Sequence, residues 1–272
     1  MLNINTNILS QATQKNLQSS QSALSSAINR LSSGKRINSA ADDAAGLAIS
    51  TNMTSYVNAL NQGVSNANNA ISMIQTASGG LSSTVDNLQR VRQLAVQASD
   101  GSLSNTQRGY LQQEVTQRLG EIDRVSTQTT FNGQTMLNAK GSVDFQVGAG
   151  SGETLTVDFG SVSMGSAGLF ATAPDISTST GAQTAIGLVD TAIDSVNTLQ
   201  ASLGAQQNRF QSAITNLQSQ STNLNSAQAS ITDADFAQET ANLSKAQVLQ
   251  QAGISVLAQA NSMPQQVLKL LG

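Results

Sequence analysis

Two carboxylates stand side by side at Asp42-Asp43, the tight acidic pair of a chain that contains neither His nor Cys. Paired carboxylates can share a proton or hold a cation when both point into one site. Adjacent helical residues point ~100° apart, so these two would not converge. Their plain reading is electrostatics at a helix start. Without His or Cys the usual bases, nucleophiles and soft metal ligands are missing, and there is no HExxH. Neither catalysis, a cofactor nor a metal is expected.

Five arginines, Arg90, Arg92, Arg108, Arg118 and Arg124, could form an anion-binding face. They alternate with Glu114, Glu121 and Asp123 and lack aromatic neighbours for stacking, so the pattern favours ion pairs over nucleic-acid binding. Asn52-Met53-Thr54 and Asn242-Leu243-Ser244 fit N-glycosylation sequons, but both fall inside helical patterns of an Asn-rich chain.

The elements that carry these residues are long. From Leu60 apolar positions step by four and three through Val64, Ala67, Ile71, Ile74, Leu81, Val85, Leu88 and Ala95, broken only at Ser78 and Arg92. The stepping returns as Ile186, Val189, Ile193, Val196, Leu203, Phe210, Ile214, Leu217, Leu224 and Ile231, with Gln200, Gln207, Ser221 and Gln228 as polar interruptions. A seam of period 3.5 needs a partner helix, and the two halves can supply it to each other. At ~1.5 Å per residue such seams run on the order of 50 to 70 Å, which predicts a rod.

Weaker stripes occupy the ends. Leu17, Leu24 and Leu31 mark the first, and Leu243, Ala246, Leu249, Ala252, Val256, Leu257 and Ala260 the last, before Pro264 and an apolar tail. Ser32-Ser33-Gly34 reads as a helix stop, and Ser39 to Asp43 as a cap with acids in the first turn of the long helix that ends at Asp100-Gly101. A third helix is predicted over 104–129, and Asn132-Gly133 as a turn. Val143, Phe145 and Val147, then Leu155, Val157 and Phe159, alternate as a β-hairpin, followed by loop from Ser161 to Thr180. The predicted fold is mainly α: an elongated rod of antiparallel paired helices or coiled coil from both chain ends, with a small β-hairpin insert.

Only 3% of the 272 residues are aromatic and 11% charged. Few bulky side chains are available for one large core, so stability must come from helix pairs or neighbouring copies. The net charge of −3 offers no basic field for nucleic acid or acidic membrane. No apolar run approaches the ~20 residues of a membrane span. Met1 to Asn7 shows no basic and then apolar secretion signal, so export would need another route.

The run from Ser32 through Gly34-Lys35-Arg36-Ile37-Asn38-Ser39-Ala40-Ala41-Asp42-Asp43-Ala44-Ala45-Gly46-Leu47-Ala48 to Ile49 closely resembles the N-terminal signature of bacterial flagellin. Asn3-Ile4-Asn5-Thr6-Asn7, the segment Leu88 to Ala98, Thr130-Phe131-Asn132-Gly133 and Met263-Pro264-Gln265-Gln266-Val267-Leu268 match as well. The resemblance covers roughly 1–140 and 183–272. It implies an inner terminal coiled-coil domain of 1–42 with 232–272, a helical rod domain of 43–140 with 182–231, and a variable region reduced to 141–181. Asn52, Gln93, Leu2 and Gly272 depart from the common pattern.

What the resemblance implies is a structural subunit of the flagellar filament, extracellular, assembling with its own copies into a hollow tube that serves motility. The implied partners are the export apparatus, an export chaperone on the apolar tail, the filament cap and hook-associated proteins, with no membrane insertion. Leu17, Leu24, Leu31, Leu249, Val256 and Leu257 would build the inner tube. Ile71, Ile74, Leu81, Val85, Leu88, Ile193, Val196, Leu203, Ile214 and Leu217 would form the rod seam, where Ser78, Gln200 and Gln207 would let copies slide between registers. Gln89, Arg90, Leu94 and Glu114 match a patch that a host innate immune receptor recognises in many relatives. Ser142, Ser161, Ser163 and Ser166 are O-glycosylation candidates by the same analogy. The terminal segments are expected to order only against neighbouring copies. Rival readings are a hook–filament junction protein and a secreted monomeric adhesin or immune ligand.

Overall fold

The computed structural model describes residues 6–160 and 163–271, with side chains described as far as Met263. Among them the order is α1 (Ile8–Ser33), α2 (Ala44–Ala98), α3 (Asn105–Gln128), β1 (Thr130–Phe131), β2 (Gln134–Thr135), β3 (Ser142–Gln146), β4 (Thr154–Asp158), α4 (Ser166–Leu169), α5 (Ser179–Thr232) and α6 (Phe236–Leu271). The chain forms two compact units, one of 1–55 with 222–272 and one of 56–221. The fold is mainly α with two small antiparallel sheets.

In the unit that holds both termini, α1 and α6 lie antiparallel and pair within the single chain, whereas the sequence predicts that the ends order only against neighbouring copies. Asn7 caps α1 by accepting from the Ser10 amide, and its Nδ2 donates to the Ala260 carbonyl at 2.8 Å. At the other end Arg30 pairs with Glu239 at 3.1 Å. The facing positions form a heptad line on each helix. Ser10, Thr13, Leu17, Ser20, Leu24, Ala27 and Leu31 are buried or half-buried on α1, as are Glu239, Leu243, Ala246, Gln250, Gly253, Leu257 and Ala260 on α6. Small residues at Ala27, Ala246, Gly253 and Ala260 let the backbones approach closely.

Gly34 ends α1 in the left-handed region at φ 69°, where a side chain would be strained. Beyond it the chain is clasped to the α5–α6 joint. The Arg36 amide donates to the Thr232 carbonyl at 2.7 Å and the Ala234 amide to that of Gly34 at 3.0 Å. Ile37 is buried beneath. The acids sit earlier than predicted. Asp42 accepts from the amides of Asn38 and Ser39 and from the Ser39 hydroxyl, closing a turn before the helix. Asp43 accepts from the Gly46 amide at 2.9 Å, so α2 begins at Ala44 with an acid-free first turn.

In the second unit α2 and α5 run antiparallel, tied by Arg92 to Asp190 at 2.6 Å and by the Ser221 hydroxyl to Asn61. One heptad line of α2 lies where the apolar spacing puts it: Leu60, Ala67, Ile74, Leu81, Leu88 and Ala95 are buried. The other runs one residue earlier than the spacing predicts, through Gly63, Ala70, Ala77, Thr84, Val91 and Ala98, while Val64, Ile71, Ser78 and Val85 are half-buried. Ser78 and Arg92 therefore do not interrupt the seam; they lie beside it. On α5 Ala182, Val189, Val196, Leu203, Phe210 and Leu217 are buried, joined first by Ala185, Ala192 and Gln206 and then by Ile214 and Ser221.

Helix α3 starts at a capping box, Ser104 with Gln107, and buries Val115, Ile122 and Val125. Strands β3 and β4 pair in register, Val143 opposite Val157 and Phe145 opposite Leu155. Phe145 meets Phe210 of α5 edge-on with ring centres 5.9 Å apart. The 161–180 stretch predicted as loop contains α4 and the first two residues of α5. Asp123 accepts from the Ser166 amide and hydroxyl at 2.7 and 2.8 Å, which starts α4 against α3.

Candidate functional site

Large apolar side chains left in solvent concentrate on the terminal helix pair. Ile8, Leu9 and Ile28 on α1 are exposed, as are Phe236, Val248, Leu249, Ile254 and Val256 on α6, Phe236 to 69% and Val248 to 67%. Large apolar side chains exposed in this number mark surfaces for interaction. With Ala and Gly at several α1–α6 contact positions, these bulky residues remain exposed among the described residues. The six residues assigned to the inner tube divide between the two faces. Leu17, Leu24, Leu31 and Leu257 lie on the α1–α6 seam, half-buried, whereas Leu249 and Val256 are about half exposed, Leu249 at the edge of the groove that α6 forms with Ala23 and Ala27 of α1.

The residues assigned to the rod seam also divide. Ile74, Leu81, Leu88, Val196, Leu203, Ile214 and Leu217 are buried, and Ile71, Val85 and Ile193 are half-buried. Of the polar interruptions, Gln200 and Gln207 are half-buried, while their neighbour Gln206 is buried. It accepts from the Asp158 amide at 2.9 Å and donates to Ser202. The sequence pattern does not reveal it, because an amide one residue from the apolar line carries no hydrophobic signal.

The arginines find partners within the chain. Arg90 grips Glu114 with two bonds, Nε at 2.8 Å and Nη2 at 3.2 Å, and reaches Gln93 with Nη1 at 2.6 Å. Arg118 approaches the same Glu114 Oε1 that Arg90 Nε binds, at 3.7 Å, and Arg124 pairs with Glu121. The hydrogen bond from Arg90 holds the Glu114 carboxyl below its ordinary range and raises the guanidinium in turn. Gln89 is exposed, Arg90 and Glu114 half-buried, and Leu94 buried. Of the glycosylation candidates, Ser142 is exposed on β3. The Ser163 hydroxyl lies 3.3 Å from that of Ser126, Ser166 is bonded to Asp123, and Ser161 lies outside the described residues. So do Leu2, Asn3, Ile4, Asn5 and Gly272.

Three further polar side chains organise the structure: Arg108, which the sequence marks only as one of five arginines, and Glu239 and Gln112, which it does not single out. Arg108, 5% exposed, closes the end of α2. Glu239, 7% exposed, is the acid between α1 and α6; extending the Ala246 line back by one heptad lands on it. Gln112 donates to the Pro174 carbonyl and accepts from the Ile176 amide at 2.7 Å, holding the returning chain against α3. Among the described residues no helix is long and apolar enough to cross a membrane.

Similarity to known proteins follows the same division. Residues 4–142 match the bacterial flagellin N-terminal helical region, and 186–271 the bacterial flagellin C-terminal helical region. The phase 1 flagellin of Salmonella naestved and the flagellin of Salmonella dublin are each 54% identical to this chain over 166 residues. That match covers 61% of this chain and 33% of each relative, so it spans about a third of their length. The crystal structure of Bacillus cereus flagellin superposes with a TM-score of 0.51 at 30% identity, covering 60% of this chain and 94% of that one. With family matches over both helical ends, the chain belongs to the bacterial flagellin family.

Proposed function

We propose that the protein is a structural subunit of the bacterial flagellar filament, polymerising with its own copies into a hollow tube that acts as the propeller for motility. The observation that supports this reading, beside family membership, is the concentration of exposed large apolar side chains on α1 and α6. A lone chain gains nothing from exposing Val248, Ile254 and Phe236; a helical array of copies would bury them at ~25 cal/mol per Å². Residues 1–42 with 232–272 serve as the inner coiled-coil domain, 43–140 with 182–231 as the rod domain, and 141–181 as a reduced outer insert.

In this reading Leu17, Leu24, Leu31 and Leu257 hold the terminal pair together, and Leu249 and Val256 contact neighbouring copies. The function is mechanical and uses no enzymatic step. The subunit works outside the cell, delivered by a dedicated export apparatus with a chaperone on its C-terminal tail, and it meets the filament cap and hook-associated proteins at the growing end and the base. Gln89, Arg90 and Glu114 offer a charged surface to a host innate receptor, with Leu94 supporting it from beneath. Of the candidate serines among the described residues, Ser142 is the exposed one and would carry a sugar.

Electron microscopy of purified protein after addition of short filament seeds and precipitant tests the reading. Long uniform tubes are expected. Protein that stays monomeric with both termini intact would overturn it.

A further inference from the structure

Asn132-Gly133 is the chain's one Asn-Gly dipeptide, and it occupies the exposed tip of the β1–β2 hairpin. The two-residue loop holds Asn132 at φ 49° and Gly133 at φ 77°. Two positive φ values in a two-residue loop define the type I′ turn, whose twist matches that of the paired strands. We propose that Asn132 is a site of spontaneous deamidation that folding switches off, so that the modification marks chains that have spent time unfolded.

The chemistry needs only water. The Gly133 amide nitrogen attacks Cγ of Asn132; the new N–Cγ bond closes a five-membered succinimide, and the side-chain amide leaves as ammonia, taking up the proton that the nitrogen gives up. Water then opens the ring at either carbonyl, giving aspartate or isoaspartate. Gly133 has no Cβ to shield the attacking nitrogen. In an open chain rotation about the Asn132 Cα–C bond can bring that nitrogen over Cβ and within reach of Cγ. In the type I′ loop the same bond places the nitrogen nearly anti to Cβ, on the far side from Cγ.

Pairing on both sides of the loop holds it in that unreactive form. Thr130 pairs with Thr135 and Phe131 with Gln134, and the Met136 amide donates to the Thr129 carbonyl at 2.9 Å. Met136 and Leu137 are buried, and the Leu137 carbonyl accepts from the Ser126 hydroxyl at 3.1 Å. Reaching the reactive rotamer means opening the hairpin and loosening this cluster, a local unfolding event. The products differ in consequence. Aspartate suits the same turn, since Asp-Gly is a favoured type I′ pair. Isoaspartate adds one atom to the backbone, which breaks the two-residue register and displaces Met136 and Leu137.

Three Asn-Ser dipeptides serve as internal comparisons. At Asn38 the attacking nitrogen, that of Ser39, is engaged by Asp42 at 2.9 Å, and Asn225 and Asn261 lie within α5 and α6. The test incubates the full chain at mildly alkaline pH, in buffer and in urea, and follows each site by peptide mapping with isoaspartate detection. Conversion at Asn132 is expected to be at least tenfold faster in urea than in buffer, and faster in urea than at Asn38, Asn225 or Asn261. Asn132→Gln, whose ring closure would be six-membered, should abolish the signal. After removal of urea the isoaspartyl fraction should remain protease-sensitive, while Asn132→Asp refolds like the parent chain. Equal rates in buffer and urea, or no excess at Asn132 in urea, would overturn the proposal.

Discussion

The guanidinium of Arg108 lies on the end of α2, its Nε 2.7 Å from the carbonyl oxygen of Ala98. Its Nη2 donates to the Asp100 carbonyl at 2.7 Å and its Nη1 to Asn105 at 3.1 Å. The last carbonyls of a helix lack intrahelical donors, and here one buried side chain from the next helix supplies them. Arg108→Ala should therefore cost about 2 kcal/mol by leaving acceptors unsatisfied. The expected readout is a lower urea midpoint, with Arg108→Lys intermediate because an ammonium cannot span both oxygens in the plane of a guanidinium. An unchanged midpoint in the alanine variant would remove Arg108 from this role.

Arg90 and Glu114 join α2 to α3, and the sign of their pH dependence follows from the direction of the shift. Arg90 lowers the folded-state pKa of Glu114, chiefly through the hydrogen bond itself. A lowered carboxyl contributes stability in full above its unfolded value, ~4.3, and loses it as pH falls through the folded value. The parent chain should thus lose stability across the acid range more steeply than Glu114→Gln, and the two curves should run parallel near neutral pH. Because both side chains are solvent-accessible, added salt should narrow the difference. Urea midpoints measured from acid to neutral pH at two salt concentrations check both parts.

The helix boundaries and the hairpin were legible because their signals are local: Gly34 after Ser33, Ser104 before Gln107, and strict alternation at Val143, Phe145 and Val147. The second seam line of α2 was not. Its residues, Gly63, Ala70, Ala77 and Thr84, are small, so hydrophobicity pointed instead to Ile71 and Val85 beside them. Close approach selects small side chains, and their burial leaves little trace in an apolar pattern. The same inversion operates at the terminal pair. Leu249 and Val256 look like core by type, yet Ala246 and Ala260 are buried at the contact while these larger residues stay about half exposed.

Gly63 gives a sharp test of that close approach. A Cβ added there would lie 2.0 Å from the Val147 carbonyl oxygen, a backbone atom of the β3–β4 loop. At Gly120 on α3 an added Cβ meets nothing within 4 Å. Both positions are helical, so propensity alone favours alanine at each by up to ~1 kcal/mol. Gly120→Ala should raise the thermal midpoint, whereas Gly63→Ala should lower it and loosen the hairpin, seen as faster amide exchange at Val143 and Val157. A rise at both sites would mean that the hairpin does not sit on α2 as described.

Val256 and Leu257 are adjacent on α6 but face different partners, which lets assembly be separated from folding. Val256 is 51% exposed, so Val256→Asp should leave helix content unchanged and stability within ~0.5 kcal/mol of the parent chain. In a polymer that buries Val256 against another copy the same carboxylate would be desolvated without a partner, and elongation from seeds should stop. Leu257 lies on the α1 side, so Leu257→Asp should destabilise the terminal pair in the isolated chain and block elongation as well. The discriminating result is the Val256 variant. If it folds normally and still elongates at the parental rate, the outward face of α6 is not the contact between copies. If it folds normally and fails to elongate, the exposed strip is the assembly surface and the α1–α6 seam is its scaffold.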